Sequence, residues 1–204
     1  IPDAIARGAT AVVCEAPVAD ARVPVIQVPN GRAAFAHLCA AWHGHPSRDM
    51  TMIGVTGTDG KTTTSNLLYS ILRAAGHKAG MITTVNAVIA DDIQRYLAQM
   101  HAAGTTHCVL EVTSHGLAQH RVDGVAFDVA IVTNITHEHL DLHGTREAYR
   151  AAKARLFDMA RAHVLNVDDD YSFAHLARLP GERRLFYSRE VQPSGNFTDW
   201  WLFA

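Results

Sequence analysis

Cysteine is scarce in this sequence. There are three in 204 residues, Cys14, Cys39 and Cys108, far apart and in no paired spacing. They support neither a disulfide framework nor a zinc-binding pair, and they read as small buried apolar side chains in a reducing compartment. An excess of one charge is lacking too. Lys and Arg total 18 against 20 Asp and Glu, a formal net charge of -2. No broad basic field exists to hold nucleic acid, and no basic patch stands out beyond Arg183-Arg184. No apolar run reaches membrane-spanning length and no signal peptide is visible, which points to a cytoplasmic protein without membrane contact. The chain also lacks a starting Met. It opens on Ile1-Pro2-Asp3 and is expected to be a piece of something longer. With hydrophobic residues at 48% and charged residues at 19%, the composition is core-forming rather than disordered. Internal repeats and low-complexity segments are absent.

What is there centres on Gly54-Val-Thr-Gly-Thr-Asp-Gly-Lys-Thr-Thr-Thr64. Met50 to Val55 before it is apolar enough for a short buried strand. After it, Leu67, Leu68, Ile71 and Leu72 recur at helical spacing. Strand, glycine loop, Lys-Thr and helix is the order a phosphate cradle needs. Gly57 and Gly60 allow a tight turn that aims backbone N–H groups inward, and the helix start adds unpaired N–H groups and a positive dipole end. Lys61 can reach the β- and γ-phosphates of a nucleotide such as ATP, and the Thr62 hydroxyl can bind Mg²⁺. Val55 stands where the standard P-loop pattern has glycine, with Gly54 and Gly57 on either side. An ordinary glycine turn before a helix is the plain alternative, and the flanking strand and helix argue against it.

Elsewhere the order of elements predicts an α/β fold. Residues 1–47 read as a helix at Ala4–Arg7, strands at Ala11–Cys14 and Val23–Val28, and a helix at Arg32–Trp42 with Ala34, Leu38 and Ala41 on one face. Too small for a closed core, they look like the end of a domain. The loop His43–Ser47 is the best boundary, which leaves 48–204 as the second unit. There, strands are expected at Met50–Val55, Ala79–Thr84, His107–Val112, Val129–Thr133, His163–Val167 and Arg184–Tyr187. Helices are expected at Thr62–Ala75, Ile93–Ala103, Thr145–Ala160 and Ser172–Leu179. Alternation of this kind implies a mostly parallel sheet with helices on both faces, and ligands gathered beyond the C-terminal strand ends.

Two further stretches end strands and can deliver side chains there. Glu111 offers oxygen to Mg²⁺, and Thr113 and Ser114 can bond a polar substrate; a solvated strand end is the plain reading. Asn134 to Asp141 brings His137 and His139. A zinc site lacks further ligands at suitable spacing, so a single His beside Mg²⁺ or phosphate fits better. Gln119 and Arg121 follow the Glu111 cluster, and Arg121 can fork onto a carboxylate or phosphate or lie on the surface. Lys153, flanked by alanines on a helix, reads from physics alone as a solvated lysine.

Four ordered blocks resemble the Mur ligases, ATP-dependent peptide ligases of peptidoglycan precursor synthesis, and within them the MurE type. They are the loop Gly54–Thr64, Glu111–Gly124, Thr133–Gly144 and Ala148–Phe157, about half the chain. The resemblance implies that ATP phosphorylates the D-Glu carboxylate of UDP-N-acetylmuramoyl-L-Ala-D-Glu and that an incoming amino acid displaces phosphate. It implies that Gly57, Thr58, Asp59, Gly60, Lys61, Thr62, Thr63 and Asn134 hold the nucleotide. Thr62, Glu111 and His139 would be Mg²⁺ ligands, and Thr113, Ser114, Gln119 and Arg121 substrate contacts. Lys153 matches a lysine carbamylated by CO₂, a group that supplies oxygens to a second Mg²⁺. Lys61, Glu111, His139 and Lys153 thus form the expected catalytic set.

Departures are visible as well. Asp59 replaces the commoner Asn, Thr113 replaces a Ser, and Glu138 stands where Asp is usual. Between Val85 and Ile93 the family's substrate-gripping Thr-Thr-Pro loop is missing. Most of the N-terminal domain and the final, amino-acid-binding domain are expected to be absent, leaving the fragment inactive by itself. The tail Asn196–Ala204 matches no pattern, and its aromatics are expected to need a partner surface. Another Mur ligase, a folylpolyglutamate synthase-like ligase, or a non-catalytic nucleotide-binding module remain alternatives.

Overall fold

The structure, a computed structural model, describes residues 1–19, 22–83, 89–136, 143–188 and the backbone of 201–203. The chain runs α1 (Pro2–Ala6), β1 (Val12–Cys14), β2 (Val25–Gln27), α2 (Gly31–Trp42), a 3₁₀ turn (Pro46–Asp49), β3 (Thr51–Thr56), α3 (Lys61–Ala74), β4 (Ala79–Ile82), α4 (Ala90–Ala102) and β5 (His107–Glu111). It continues with α5 (Ser114–Ala118), β6 (Phe127–Val132), α6 (Arg146–Asp158), β7 (Ala160–Asn166), α7 (Asp170–Leu176), β8 (Arg183–Ser188) and β9 (Trp201–Phe203). Strands β1 and β2 pair in parallel as a small separate sheet. The main sheet has seven strands in the order β4-β5-β3-β6-β7-β8-β9, every neighbouring pair parallel.

Strand β3 is buried on both faces, as a central parallel strand must be. Met52 joins a large cluster with Leu97, Leu110, Leu156 and Phe157, while Ile53 and Val55 join Val109 and Ile131 on the other face. That second face is covered by Leu68 and Leu72 of α3. Helices therefore lie on both sides, as expected. Gly54 is required by closeness rather than by turning: a Cβ there would lie 2.9 Å from Leu156 Cδ1 and 3.0 Å from Phe127. From β3 the chain crosses to one side for β4 and β5 and then to the other for β6. This reversal opens a crevice at the C-terminal end of β3, where α/β sheets collect ligands.

Several expectations need correction. On α3, Leu67 and Ile71 are 59% and 63% exposed; only the 68/72 pair faces the sheet, and its neighbours sit about 100° round the helix. On α2 the buried face is Ala36, Cys39 and Ala40, while Leu38 is 54% exposed. Small residues win there because α2 comes against Gly124, where a Cβ would lie 2.6 Å from the Ala36 carbonyl oxygen. Helix α4 begins at Ala90 rather than Ile93, because Asp92 Oδ2 accepts the Ile89 N–H at 3.2 Å and fixes the first turn there. The tail contains a strand: the backbone of β9 extends the sheet beside β8. Cys39 and Cys108 are buried, but Cys14 is only half-buried.

Candidate active site

The loop after β3 is shaped by two glycines. Gly60 caps α3 with φ +77°, and Gly57 has φ +150°. A Cβ on Gly57 would overlap Thr133 Oγ1 at 1.8 Å, so backbone approach as well as φ demands glycine. Against the loop lies the strap 133–136, just past β6. Thr58 N donates to the Asn134 carbonyl at 2.7 Å and Asp59 N to Asn134 Oδ1 at 3.1 Å. Thr136 N donates to Thr58 Oγ1 at 2.9 Å, and Thr133 Oγ1 donates to the Asp59 carbonyl at 2.5 Å. Asn134 is thus placed beside Asp59. Thr63 is exposed on the first turn of α3.

Two lysines converge on this loop. Lys61 Nζ donates to the carbonyls of Gly57 at 3.0 Å and Thr58 at 2.6 Å. Lys153 Nζ donates to the same Gly57 carbonyl at 2.6 Å and lies 4.7 Å from the centre of the Tyr149 ring. Lys153 is 1% exposed, so the solvated-lysine reading is wrong: α6 turns this face inward, with Ala152, Leu156 and Phe157 buried around it.

Beside the lysines, Thr62 Oγ1 donates to Glu111 Oε2 at 3.1 Å. Glu111 is 7% exposed and Ser114 4%, which corrects the reading of a solvated strand end. A hydroxyl and a buried carboxylate at the mouth of an N–H-lined loop are hard oxygen donors that fit Mg²⁺. Thr113 caps α5, accepting the Gly116 N–H at 3.0 Å. Ser114 Oγ contacts His143 Nε2 at 3.1 Å. Glu111, Thr113 and Arg121 line a cavity of about 30 Å³, room for about one water. Arg121 donates through Nε and Nη2 to Gln119 Oε1 at 3.0 and 2.6 Å, and both border a cleft of about 250 Å³ with Arg32 and Phe35 of α2.

Between Gln119 and Arg121, His120 adopts φ +59° and ties three elements together. Asn30 Oδ1 already accepts the Ala33 N–H, so Asn30 Nδ2 donates to His120 Nε2 at 3.1 Å. His120 Nδ1 then carries the proton given to Asp123 Oδ2 at 2.6 Å. Asp123 also accepts from Arg155 Nη2 at 3.0 Å, and Arg155 Nη1 donates to the Leu117 carbonyl.

His139 and His137 lie outside the described residues, as do Val85–Val88 of the segment where a substrate loop is missing. Among the described residues no three His, Cys, Asp or Glu side chains converge on a metal position. No helix among them is long and apolar enough to cross a membrane. Sequence reasoning missed Thr133 and Tyr149. Tyr149 was findable: it stands four residues before Lys153, one helical turn away, and its hydroxyl lies 3.2 Å from Thr58 Oγ1.

Comparison with known proteins agrees with this arrangement. The family model described as Mur ligase middle domain matches residues 55–197. The chain is 43% identical over 221 residues to a UDP-N-acetylmuramyl-tripeptide synthetase of Roseiflexus sp. (strain RS-1), covering 92% of this chain and 43% of that protein. It is 38% identical over 215 residues to a UDP-N-acetylmuramoyl-L-alanyl-D-glutamate–2,6-diaminopimelate ligase of Pseudomonas syringae pv. tomato, covering 95% and 44%. A solved ligase with the latter description superposes with a TM-score of 0.80 at 29% identity, over 93% of this chain and 42% of that one. The MurF ligase of Thermotoga maritima, solved with ADP, shares the fold at a TM-score of 0.58 and 23% identity, over 93% and 44%. The chain thus spans less than half the length of these relatives.

Proposed function

The chain belongs to the Mur ligase family, and we propose that it is the nucleotide-binding part of an ATP-dependent ligase of peptidoglycan precursor synthesis. The reaction adds an amino acid to UDP-N-acetylmuramoyl-L-Ala-D-Glu through an acyl phosphate. The observation that carries this reading is the placing of Thr62 Oγ1, Glu111 Oε2 and two lysine amines around one glycine loop. The activities for which the relatives are named support the MurE-type substrate.

The chemistry sets the demands on these residues. A substrate carboxylate oxygen attacks the γ-phosphorus of ATP and ADP leaves. The amine of the incoming amino acid then attacks the acyl carbon, phosphate departs and the amine loses a proton. Two anions must first approach each other, so positive charge and N–H groups must surround the transferring phosphoryl group. The Gly60–Thr63 amides at the start of α3 supply the N–H groups. Lys61, folded onto the Gly57 and Thr58 carbonyls, moves to the phosphates when they enter.

Thr62 and Glu111 would hold Mg²⁺, with His139 as a further ligand, and the ion would offset phosphate charge. Gln119, Arg121, Thr113 and Ser114 bind the muramoyl peptide. Lys153 is the carbamylated lysine. Reaction with CO₂ needs a neutral amine.

Calorimetry with Mg²⁺ and ATP on the 204-residue chain tests the reading. Micromolar-range binding that falls in Lys61→Ala is expected; equal affinity in the two proteins would sink it.

A further inference from the structure

The strap 133–136 shapes one side of the glycine loop, and its other side is held by residues at the ends of β7 and β8 and by Asp169 just past β7. Asn166 Nδ2 donates to the Thr133 carbonyl at 2.8 Å. The Tyr187 hydroxyl donates to the carbonyls of Val132 at 2.9 Å and Thr133 at 3.1 Å. Burial pushes the Tyr187 hydroxyl up to about 12, with Asp168 and Asp169 adding to the shift, so it remains a donor. The backbone N–H of Ile135 points away from the loop and donates to Asp169 Oδ2 at 2.6 Å.

We infer that Asp169 is a positioning residue for the nucleotide loop, acting through the strap. The geometry is a relay. Asp169 fixes Ile135, and the residues on either side of Ile135 fix the loop: Asn134 holds Thr58 and Asp59, and Thr136 holds Thr58. An N–H bonded to a carboxylate is held about twice as strongly as one bonded to a neutral acceptor. Asp169 is itself immobilised as the N-cap of α7, receiving Ser172 Oγ at 2.6 Å on the same oxygen that holds Ile135 and Ser172 N at 3.3 Å on the other. Without the carboxylate, the Ile135 N–H has no fixed partner, and the strap loses the anchor midway between its two loop contacts. The Thr58 and Asp59 amides, which Asn134 holds, then lose their alignment, and the loop loses its shape with them. The assignment rests on the glycine loop being the nucleotide seat.

Three variants of the chain separate this role from simple stabilisation of α7. Asp169→Ala removes both the cap and the strap bond. Asp169→Asn keeps a side-chain oxygen for Ile135 N. Ser172→Ala removes the serine hydroxyl bond and leaves the strap bond. Binding of Mg²⁺ and ATP by calorimetry, melting temperature, and the backbone amide resonances of Thr58 and Asp59 without nucleotide are the readouts.

Asp169→Ala is expected to bind about tenfold more weakly with both amides shifted. Asp169→Asn is expected to recover most of the affinity, and Ser172→Ala to bind as the parent does despite a lower melting temperature. Unchanged affinity and unchanged amides in Asp169→Ala, or equal losses in Asp169→Ala and Ser172→Ala, overturn the inference. Should Asp169→Ala not fold, Asp169→Glu, which displaces the carboxylate by one methylene, carries the same expectation and the same refutation. If the parent chain binds no ATP, the nucleotide reading fails, while the Thr58 and Asp59 amide shifts still decide whether Asp169 sets the loop.

Discussion

Lys61 and Lys153, far apart in sequence, donate to one and the same atom, the carbonyl oxygen of Gly57, at 3.0 and 2.6 Å. Lys61 holds the Thr58 carbonyl as well, and an arriving phosphate would compete with these neutral carbonyls for its charge. Lys61→Ala should therefore lower ATP affinity by roughly 10–100-fold, the usual worth of a hydrogen bond to a charged group. Lys61 sits at the start of α3 and is only half-buried, so the melting temperature should hardly move. Calorimetry and a thermal melt on the same samples check both halves.

Lys153 invites a different measurement. With ¹³C-bicarbonate alone, a carbamate resonance should be weak; adding Mg²⁺ and ATP should raise it, and Lys153→Arg should abolish it. No signal under any condition, or a signal that survives in Lys153→Arg, would remove the carbamate from the proposal.

Glu111 is expected to govern the metal dependence. Glu111→Gln keeps the size and an oxygen for the Thr62 hydroxyl but loses the charge a hard cation needs. ATP affinity in the parent should fall on adding EDTA, and in Glu111→Gln it should be low and nearly insensitive to EDTA. Titration of Mg²⁺ at fixed ATP provides the comparison.

Gly57→Ala tests how tightly the loop is built. Its new methyl would fall 1.8 Å from Thr133 Oγ1, whereas at Gly60 the nearest Thr133 atoms are 3.8 Å away. Gly57→Ala should cost about 2–4 kcal/mol of stability, through overlap and positive φ together. Gly60→Ala should cost about 1–2 kcal/mol from conformation alone. Urea unfolding would show the ranking, and adding Thr133→Ala should recover part of the Gly57→Ala loss.

His163 gives the fold an acid sensitivity. It is fully buried, its Nε2 lies 2.9 Å from the Phe157 carbonyl, and burial lowers its pKa below 6.5. Below pH 6.5 the unfolded chain takes up the proton and the folded chain resists it. Stability is therefore intact above that pH and falls as pH drops through the folded value. His175 is lowered in the same direction, also mainly by burial. Urea midpoints between pH 7.5 and 5 should decline, and less steeply in His163→Gln.

The glycine loop and the α/β alternation were legible in the sequence because both are local: a strand, two glycines, Lys-Thr and a helix are neighbours in the chain. The Thr62–Glu111 pair followed from the rule that parallel strands end at one edge. Lys153 was not legible from physics, since alanine neighbours say nothing about which face of α6 is turned inward. It came only through family resemblance. Thr133 was hidden because its contact with Gly57 depends on β6 lying beside β3, an order that alternation alone does not specify. The five-residue α5 is too short for periodicity to reveal. The misjudged face of α2 shows the limit of reading Leu as core: where two backbones meet closely, alanines take the buried positions and leucine is left outside.

The sheet order also bears on how this chain is made. Strand β3 sits in the middle, yet its hydrogen-bonded neighbours are β5 and β6, supplied far downstream. The Gly57 carbonyl meets Lys153 across 96 residues of sequence, and the Tyr187 hydroxyl meets the strap at Thr133 across 54. On a ribosome, the loop would emerge early and wait, shapeless, until nearly the whole sheet had followed it out. Contacts of such long range slow folding and leave unfinished strand edges open to wrong pairing meanwhile. Nucleotide binding is therefore a late signal of completed folding, and a nascent chain stopped before β8 should bind none.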